Sequence, residues 1–120
     1  MKKIIVLVTV LALFSSKSML AQSSPDLNLK NLHTENKEVQ TKVIFEPTEK
    51  VISLQIAKDG QLAEHITKVP ALLVCVTGYA TYQDEGGRKI SLKPGDYVRI
   101  EPNVKHWIDT FEESNFLLIK

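Results

Sequence analysis

Hydrophobic and polar residues alternate in short stretches along most of the chain after residue 38. Alternation with a period of two is typical of β-strands that bury one face. The first stretch spans residues 39–45, with Val39 and Val43 on the same face as Phe45, and a second follows the turn at 46–50. Each of these stretches predicts a short strand.

Turn signals separate the stretches at intervals of about ten residues. Glycine and asparagine supply the positive φ that tight turns need, and proline fixes the corner before them. No segment has a convincing helical pattern, so the sequence predicts an all-β antiparallel sandwich or barrel of eight or nine strands. The turn signals lie at residues 58–60, 84–87, 93–96 and 101–103.

Residues 1–21 have the pattern of a cleavable signal peptide. A basic start precedes an uncharged apolar run of 11 residues, 4–14, whereas a helix that spans a bilayer needs about 20. We expect cleavage after residue 21, an N-terminal arm at 22–38 and a barrel domain at 39–120. The protein is then exported, either to the periplasm or by secretion. The alternative is a buried N-terminal segment of a cytosolic protein.

Charge and cysteine content narrow the classes of partner. Loss of the first 21 residues removes three of the 15 basic side chains and no acid, which leaves 12 basic against 14 acidic residues. A nucleic-acid binder should show a basic stripe, so no nucleic acid is expected as a partner. The single cysteine, Cys75, excludes an internal disulfide and lies too far along the chain for a lipid anchor. We therefore expect no membrane anchor after cleavage.

The segment from residue 60 to residue 106 resembles the paired motifs of the cupin superfamily, whose small barrels are double-stranded β-helices of the jelly-roll type. In that family the first motif runs from a glycine through a His-x-His pair to a glutamate and a closing glycine. The second motif runs from a Pro-Gly-Asp turn through a proline-rich corner to a histidine. The resemblance implies a jelly-roll barrel over residues 39–120. The matching residues are Gly60, His65, Gly78, Pro94, Gly95, Asp96, Pro102 and His106.

The same resemblance implies a metal site with four protein ligands, and this chain departs from that pattern. The four positions hold His65, Thr67, Ala71 and His106. A hydroxyl is a poor substitute for imidazole, alanine supplies no ligand, and a catalytic divalent site normally has three protein ligands. We therefore expect a degenerate metal site with no firmly bound cofactor. A divalent metal ion, if one binds, would be held by His65 and His106.

Four side chains are candidates for lining a ligand pocket in the barrel. Two facing imidazoles with a nearby hydroxyl can exchange hydrogen bonds with a small polar molecule, and imidazole can transfer protons near neutral pH. The leading interpretation is an exported cupin-domain protein that binds an unidentified small molecule. The candidates are His65, Thr67, Cys75 and His106.

Other interpretations stay open at the level of sequence. One is a metal-dependent enzyme of the oxygenase, isomerase or lyase kind that completes its ligand shell with water or substrate. Another is a structural or interaction module, with two satisfied histidines and a pocket closed by Leu73, Cys75 and Ile108. No set of nucleophile, base and acid can be assembled from these residues, so catalytic residues are not assigned.

The last stretch of the chain is apolar on both faces. Phe116 and Leu118 lie on one face, and Leu117 and Ile119 on the other. A strand with this pattern is covered on both sides. If one face meets the barrel interior, the other needs a second cover, and small barrels of this family commonly pair through such sheets. We therefore predict a homodimer.

Overall fold

The computed structural model describes residues 27–120, which form eight β-strands and one short 3-10 helix at Leu29–Asn31. The predicted signal peptide and the first residues of the arm lie outside the described residues. Within the described part, no helix is long and apolar enough to cross a bilayer. The strands are β1 (Val51–Ile56), β2 (Gln61–His65), β3 (Ala71–Thr77), β4 (Ala80–Asp84), β5 (Lys89–Leu92), β6 (Tyr97–Ile100), β7 (His106–Thr110) and β8 (Ser114–Ile119).

The strands form two four-stranded antiparallel sheets, ordered β1-β8-β3-β6 and β2-β7-β4-β5. Several neighbouring strands come from distant parts of the chain: for example, β1 pairs with β8, and β2 pairs with β7. This arrangement of two packed sheets is that of a jelly roll. The predicted all-β jelly-roll barrel is therefore confirmed.

Apolar side chains from both sheets fill the space between them. Tyr82 is fully buried and Phe116 is 1% exposed, so even the largest side chains are enclosed. Burial of a large apolar side chain contributes about 1.5–3 kcal/mol, and this core is therefore the main source of stability. The core comprises Ile56, Ala71, Leu73, Cys75, Ala80, Tyr82, Ile90, Leu92, Val98, Ile100, Ile108 and Phe116.

The barrel has two chemically different ends. Strand β7 begins at His106 and ends at Thr110, and Asp84 of β4 lies directly opposite His106. We call the end that holds His65, Asp84 and His106 the histidine end. We call the end that holds Thr110 and Ser114 the hydroxyl end.

Two turns behave as their residues predict. Gly95 has φ +92°, and a Cβ there would lie 2.8 Å from Nδ2 of Asn28. That amide donates to Asp96 Oδ1 at 2.8 Å and to the Pro94 carbonyl at 3.1 Å, which ties the arm to the turn. Asn103 has φ +62°, so asparagine does supply the positive φ at the corner before β7.

The strand predicted over residues 39–45 is not formed, and the first strand of the barrel is β1. No residue from 33 to 47 makes a backbone–backbone hydrogen bond with any other described residue. Val39 and Val43 are 74% and 78% exposed. Alternation indicates which side chains a strand would present, but a strand also needs a neighbour to pair with.

Candidate functional site

Two imidazoles face each other at the histidine end. His65 ends β2 and His106 begins β7, and the two residues are direct partners in the pairing of these strands. Their ring centroids lie 4.3 Å apart, with the planes tilted by 54°. His65 is exposed, whereas His106 is buried. The structure thus brings together the two histidines of the paired motifs. One of them lies at the surface and the other inside the barrel.

Backbone carbonyls fix the tautomer of both rings. Nδ1 of His65 lies 2.8 Å from the carbonyl oxygen of Ala63, and Nδ1 of His106 lies 3.1 Å from that of Val104. A carbonyl oxygen can only accept a hydrogen bond, so each Nδ1 carries a proton and donates it. In the neutral rings each Nε2 therefore has a free lone pair.

The Nε2 atom of the buried histidine reaches solvent. No described residue is hydrogen-bonded to this atom, and no buried side-chain nitrogen or oxygen within residues 27–120 lacks a partner. Nε2 of His106 is therefore an accessible atom on an otherwise buried ring. Together with the exposed ring of His65, it gives the histidine end two neighbouring hydrogen-bond acceptors.

The surroundings of His106 favour its neutral form. Burial lowers the pKa of His106 below the ordinary value of 6.5; the hydrogen bond to Val104 opposes this effect, and the charge of His65 adds to it. Its ring also stacks on that of Tyr82, with centroids 5.8 Å apart and planes 24° from parallel. The stacking holds the ring in place, and the neutral state keeps its Nε2 lone pair available.

A polar network lies beneath the histidine pair. Tyr82 donates its hydroxyl proton to Asp84 Oδ2 at 3.2 Å, and Arg88 Nε donates to the same oxygen at 2.8 Å. Nη2 of Arg88 donates to the Tyr82 hydroxyl at 3.2 Å and to the Arg99 carbonyl at 2.9 Å. Burial raises the pKa of Tyr82 to about 12, so this hydroxyl stays protonated. The network fixes the tyrosine against which His106 stacks.

Asp84 is the hub of this network. Its Oδ1 accepts from the backbone amides of Gly86 at 2.9 Å and Arg88 at 3.2 Å, and its side chain is 4% exposed. Burial raises the pKa of Asp84, but the hydrogen bonds and charge of Arg88 outweigh it, and the net pKa lies below 3.8. The carboxylate is therefore ionised at neutral pH and neutralised by its partner.

Sequence reasoning missed Tyr82, Asp84 and Arg88. The sequence pattern places Asp84 only in a turn, and its side chain does accept from the amide of Gly86 within that turn. The signal that could have revealed its second role is the alternation of Tyr82 and Asp84 along β4, which places both side chains on the same face. The contact with Arg88 depends on the shape of the turn, which the pattern does not specify.

Thr67 lies at the same end but its hydroxyl is already engaged. The residue is 7% exposed, and its Oγ1 donates to the carbonyl of Val69 at 2.9 Å. Its own carbonyl accepts from the amide of Asn103 at 2.7 Å. Its hydroxyl proton and its carbonyl thus stabilise the loops that flank the histidines.

Cys75 belongs to the packed core and to the other sheet. It is 1% exposed and lies four residues along β3 from Ala71, which corresponds to about 13 Å of strand. Burial and, to a smaller extent, the negative charge of Asp96 raise the pKa of the Cys75 thiol to about 11. The thiol is therefore protonated at neutral pH and packs as a small apolar group.

The described residues bring no third metal ligand to the histidine pair. Within residues 27–120, no group of three or more histidine, cysteine or carboxylate side chains is arranged to hold a metal ion. Glu64, the neighbour of His65, extends toward the amine of Lys105, 3.8 Å away. Two imidazoles alone fit a firmly held divalent ion poorly.

Two cavities formed by described residues lie outside the barrel. One, of about 470 Å³, is an open pocket lined by arm residues between 32 and 42. The other, of about 170 Å³, lies where Phe45 and Thr48 approach Pro70 and Arg99. Neither contains a residue of the histidine pair, so the candidate site is defined by the paired imidazoles and not by these cavities.

Solved structures of other proteins share this fold. A cupin-like protein from Thermotoga maritima is 28% identical with a TM-score of 0.54, over 58% of this chain and 54% of that one. A cupin superfamily protein from Desulfitobacterium hafniense is 19% identical with a TM-score of 0.53, over 64% of this chain and 82% of that one. This chain spans about half the length of the first of these two proteins.

A third similar structure is described as that of DMSP lyases. It is 19% identical to this chain with a TM-score of 0.54, over 57% of this chain and 35% of that one. At that identity the likeness concerns the fold alone. No protein-family model matches the sequence, and no curated protein matches it.

Proposed function

We propose that this chain, which belongs to the cupin superfamily, binds a small hydrogen-bond donor at the histidine end of its barrel without a firmly held metal. The observation that carries this proposal is the hydrogen bonding of the two rings. Both Nδ1 atoms donate to backbone carbonyls, and no described residue occupies either Nε2. Two acceptors with solvent access therefore lie side by side, as recognition of a polar ligand requires.

The same hydrogen bonds define the chemistry of the ligand. A neutral imidazole with a protonated Nδ1 can only accept at Nε2. Hydroxyl and amine groups can donate to both rings, whereas a carboxylate would place its lone pairs against theirs. We therefore expect polyols, sugars or amines to bind at pH 8, and carboxylates to bind only where the imidazoles are protonated.

The position of the ligand follows from the packing of the core. Tyr82 is fully buried and Ile108 is 1% exposed, so the centre of the barrel is filled by side chains. His65, by contrast, is exposed. The ligand would therefore lie over the histidine pair at the mouth of the barrel.

A thermal-shift screen at pH 8 tests this proposal. The panel would contain polyols, sugars, primary amines and matched carboxylates. A ligand at about one hundred times its Kd stabilises a protein by about 2.7 kcal/mol, which raises the Tm by several degrees for a domain of this size. We expect hits among hydroxyl and amine compounds and none among the carboxylates.

Two variants and a matched control assign any hit to the site. His65→Ala and His106→Ala should each abolish the shift. His33→Ala should retain it, because His33 is an exposed histidine in the arm. A panel that gives no shift, or a shift that survives both site variants, would contradict the proposal.

A second candidate is a metal-dependent enzyme with an incomplete protein ligand shell. Histidines that bind metals usually donate their second ring nitrogen to a carbonyl or carboxylate, and both rings here donate Nδ1 to a carbonyl. The similar fold of the DMSP lyases shows that an enzyme can use a related barrel. Open coordination positions would then be filled by water or substrate.

Elemental analysis separates the two candidates. Under the leading proposal, the purified protein contains well below one equivalent of Mn, Fe, Ni, Cu or Zn per chain. Stoichiometric metal that is lost in both His65→Ala and His106→Ala, but kept in His33→Ala, would favour the enzyme. This test needs no assay of enzymatic activity.

We further propose that the chain is exported, to the periplasm or by secretion, after loss of its first 21 residues. The support is the basic start and the 11-residue apolar run of the sequence. N-terminal sequencing of protein recovered from the extracellular or periplasmic fraction should begin at Gln22. Recovery of the intact chain from the cytosol would contradict export.

A further inference from the structure

The sheet β2-β7-β4-β5 has an outer face that carries polar side chains. Every second residue of β7 is buried, beginning with His106, so Trp107 and Asp109 point away from the barrel interior. On β4, residues of the core alternate with Thr81 and Gln83, which therefore lie on the same outer face. This face is on the opposite side of the sheet from the ring of His106.

Aromatic rings lie at both ends of this outer face. Trp107 is half-buried, and its indole N–H donates to no described residue. Four residues further along, Phe111 is 49% exposed, and its ring centroid lies 5.0 Å from that of Tyr79. The amide of Phe111 donates to the carbonyl of Tyr79 at 2.9 Å, which continues the pairing of β7 with β4 beyond both strands. Four residues of strand span about 13 Å, which is therefore the separation of the two aromatic surfaces.

The centre of the outer face is a carboxylate with no cation beside it. Asp109 accepts from Nε2 of Gln61 at 2.7 Å and from Nε2 of Gln83 at 3.4 Å. None of the ion pairs formed by the described residues includes Asp109. A carboxylate has about four acceptor sites. About half of them therefore stay available to hydrogen-bond donors from outside the protein.

A nearly buried hydroxyl lies beside this carboxylate. Thr81 is the direct partner of Asp109 in the pairing of β4 with β7, and it is 6% exposed. No hydrogen bond within residues 27–120 engages its Oγ1, and no buried side-chain oxygen there lacks a partner, so this oxygen reaches the outer face. Polar groups in such enclosed positions are normally hydrogen-bonded. An open hydroxyl next to an open carboxylate indicates a place for a polar group of a ligand.

The order of apolar and polar groups on this face distinguishes between classes of ligand. A protein interface has an apolar centre and a polar rim, whereas here a polar centre lies between two aromatic ends. Single-stranded nucleic acid also stacks on aromatic rings, but its phosphates would be repelled by Asp109. A sugar fits both features, because its C–H groups pack on aromatic rings and its hydroxyls donate to a carboxylate.

We propose that the outer face of β2-β7-β4-β5 binds a short neutral oligosaccharide. Its sugar rings pack on Trp107 at one end and on Phe111 and Tyr79 at the other, and its hydroxyls bind Asp109 and Thr81 between them. The 13 Å between the aromatic surfaces exceeds the length of one sugar ring, so the ligand has more than one sugar unit. This site is separate from the histidine end and does not depend on the function proposed there.

Tryptophan fluorescence tests this proposal, because Trp107 is the only tryptophan of the chain. The probes are neutral hexasaccharides of glucose, of N-acetylglucosamine and of mannose, titrated to about 10 mM, well above a Kd of about 1 mM. A bound sugar covers the indole, so at least one probe should shift its emission to shorter wavelength. Phe111→Ala and Asp109→Asn should each raise the Kd about tenfold.

Two further variants locate the site, and the melting temperature of each variant checks that it is folded. Tyr97→Ala is the matched control, since Tyr97 is a half-buried aromatic residue of β6 in the other sheet. It should keep the wild-type Kd. His65→Ala should also keep it, because His65 belongs to the histidine end.

Four results would overturn the proposal. The first is the absence of an emission shift with all three probes, and the second is an unchanged Kd in both Phe111→Ala and Asp109→Asn. Loss of the shift in His65→Ala would place the sugar at the histidine end. A shift with oligothymidine and with no sugar, or a shift on dilution of the protein alone, would make nucleic acid or a second copy of the chain the occupant.

Discussion

The two ends of the barrel treat their buried polar groups in opposite ways. At the hydroxyl end, Ser114 Oγ accepts from the amide of Tyr79 at 3.1 Å and donates to the Glu112 carbonyl at 2.8 Å. Thr110 Oγ1 likewise accepts from the amide of Gly60 at 3.0 Å, and it donates to a neighbouring carbonyl. These hydroxyls join loops to strands, and their hydrogen-bonding capacity is used for that purpose.

The histidine end is built differently. There the backbone engages only one nitrogen of each imidazole, and a charged network of Tyr82, Asp84 and Arg88 supports the inner ring. Polar groups that remain available after folding are the ones that can recognise a ligand. The hydroxyl end thus contributes to the stability of the barrel, and the free nitrogens of the histidine end support the proposal that a ligand binds there.

The largest effect is expected from Gly78→Ala at the hydroxyl end. Gly78 has φ +103°, and an added Cβ would lie 2.3 Å from Ser114 Oγ and 2.6 Å from backbone atoms. Overpacking and backbone strain together should lower the free energy of unfolding by about 4 kcal/mol. Urea denaturation measures this loss.

The matched control is Gly87→Ala. Gly87 has φ +93° but no atom within 4 Å of an added Cβ, so only the backbone strain of about 1 kcal/mol remains. Equal losses of unfolding free energy in the two variants would show that a clash between the added Cβ and Ser114 does not contribute to the effect at Gly78.

A smaller effect is expected from Arg88→Met at the histidine end. The variant leaves the buried carboxylate of Asp84 without its charged partner. Breaking a buried pair costs about 3–5 kcal/mol, but the Arg88 side chain is 39% exposed, so we expect about 2 kcal/mol at pH 7.

The pH dependence of this loss has a definite sign. The pKa of Asp84 is lowered in the folded protein, so its stabilisation is complete above the ordinary pKa of 3.8 and is lost as the pH falls below it. Urea denaturation curves of wild type and Arg88→Met should therefore converge in acid. A difference that stays constant down to pH 2 would contradict the assignment.

Cys75→Ala should have a smaller effect and should separate the core from the site. Removing the buried thiol should cost about 1 kcal/mol, with no change in ligand-induced thermal shift. The native thiol should also react slowly with a disulfide reagent at pH 8, because burial raises its pKa to about 11. Loss of ligand binding in Cys75→Ala would place the ligand in the barrel interior.

The smallest effect is the titration of His106. Its pKa is lowered by burial, so the unfolded chain binds the proton more readily than the folded protein does. The contribution of His106 to the free energy of unfolding should be complete above pH 6.5, the ordinary pKa of histidine. It should decline as the pH falls below that value. His106→Asn should remove this decline, whereas His33→Asn should leave it unchanged.

Sequence reasoning predicted the barrel better than it predicted its edges. The apolar alternation over 116–119 correctly predicts a strand, and β8 has a neighbour on both sides within its sheet. A cover over its second face stays a prediction, because Leu117 is 40% exposed. The equally regular alternation over 39–45 forms no strand, because no described strand lies beside that segment to pair with its backbone. Hydrophobic alternation indicates which side chains share a face of a strand, whereas the fold determines which strand, if any, lies beside it.

The candidate site was predicted in the same partial way. The paired motifs indicated His65 and His106, and these rings do meet, 4.3 Å apart. Thr67 could not be judged from sequence, because its hydroxyl is used by Val69, two residues away, in a loop of no fixed pattern. Arg88 was missed because its role depends on a turn that directs it back onto Asp84.

The most direct test of the site is the tautomeric state of its two histidines, measured by long-range ¹H–¹⁵N correlation NMR at pH 8. We predict that Nδ1 carries the proton in both His65 and His106, that Nε2 is unprotonated in both, and that ligand binding shifts the two Nε2 resonances. A protonated Nε2 in either ring would contradict the account, because the pair of acceptors on which binding depends would then not exist.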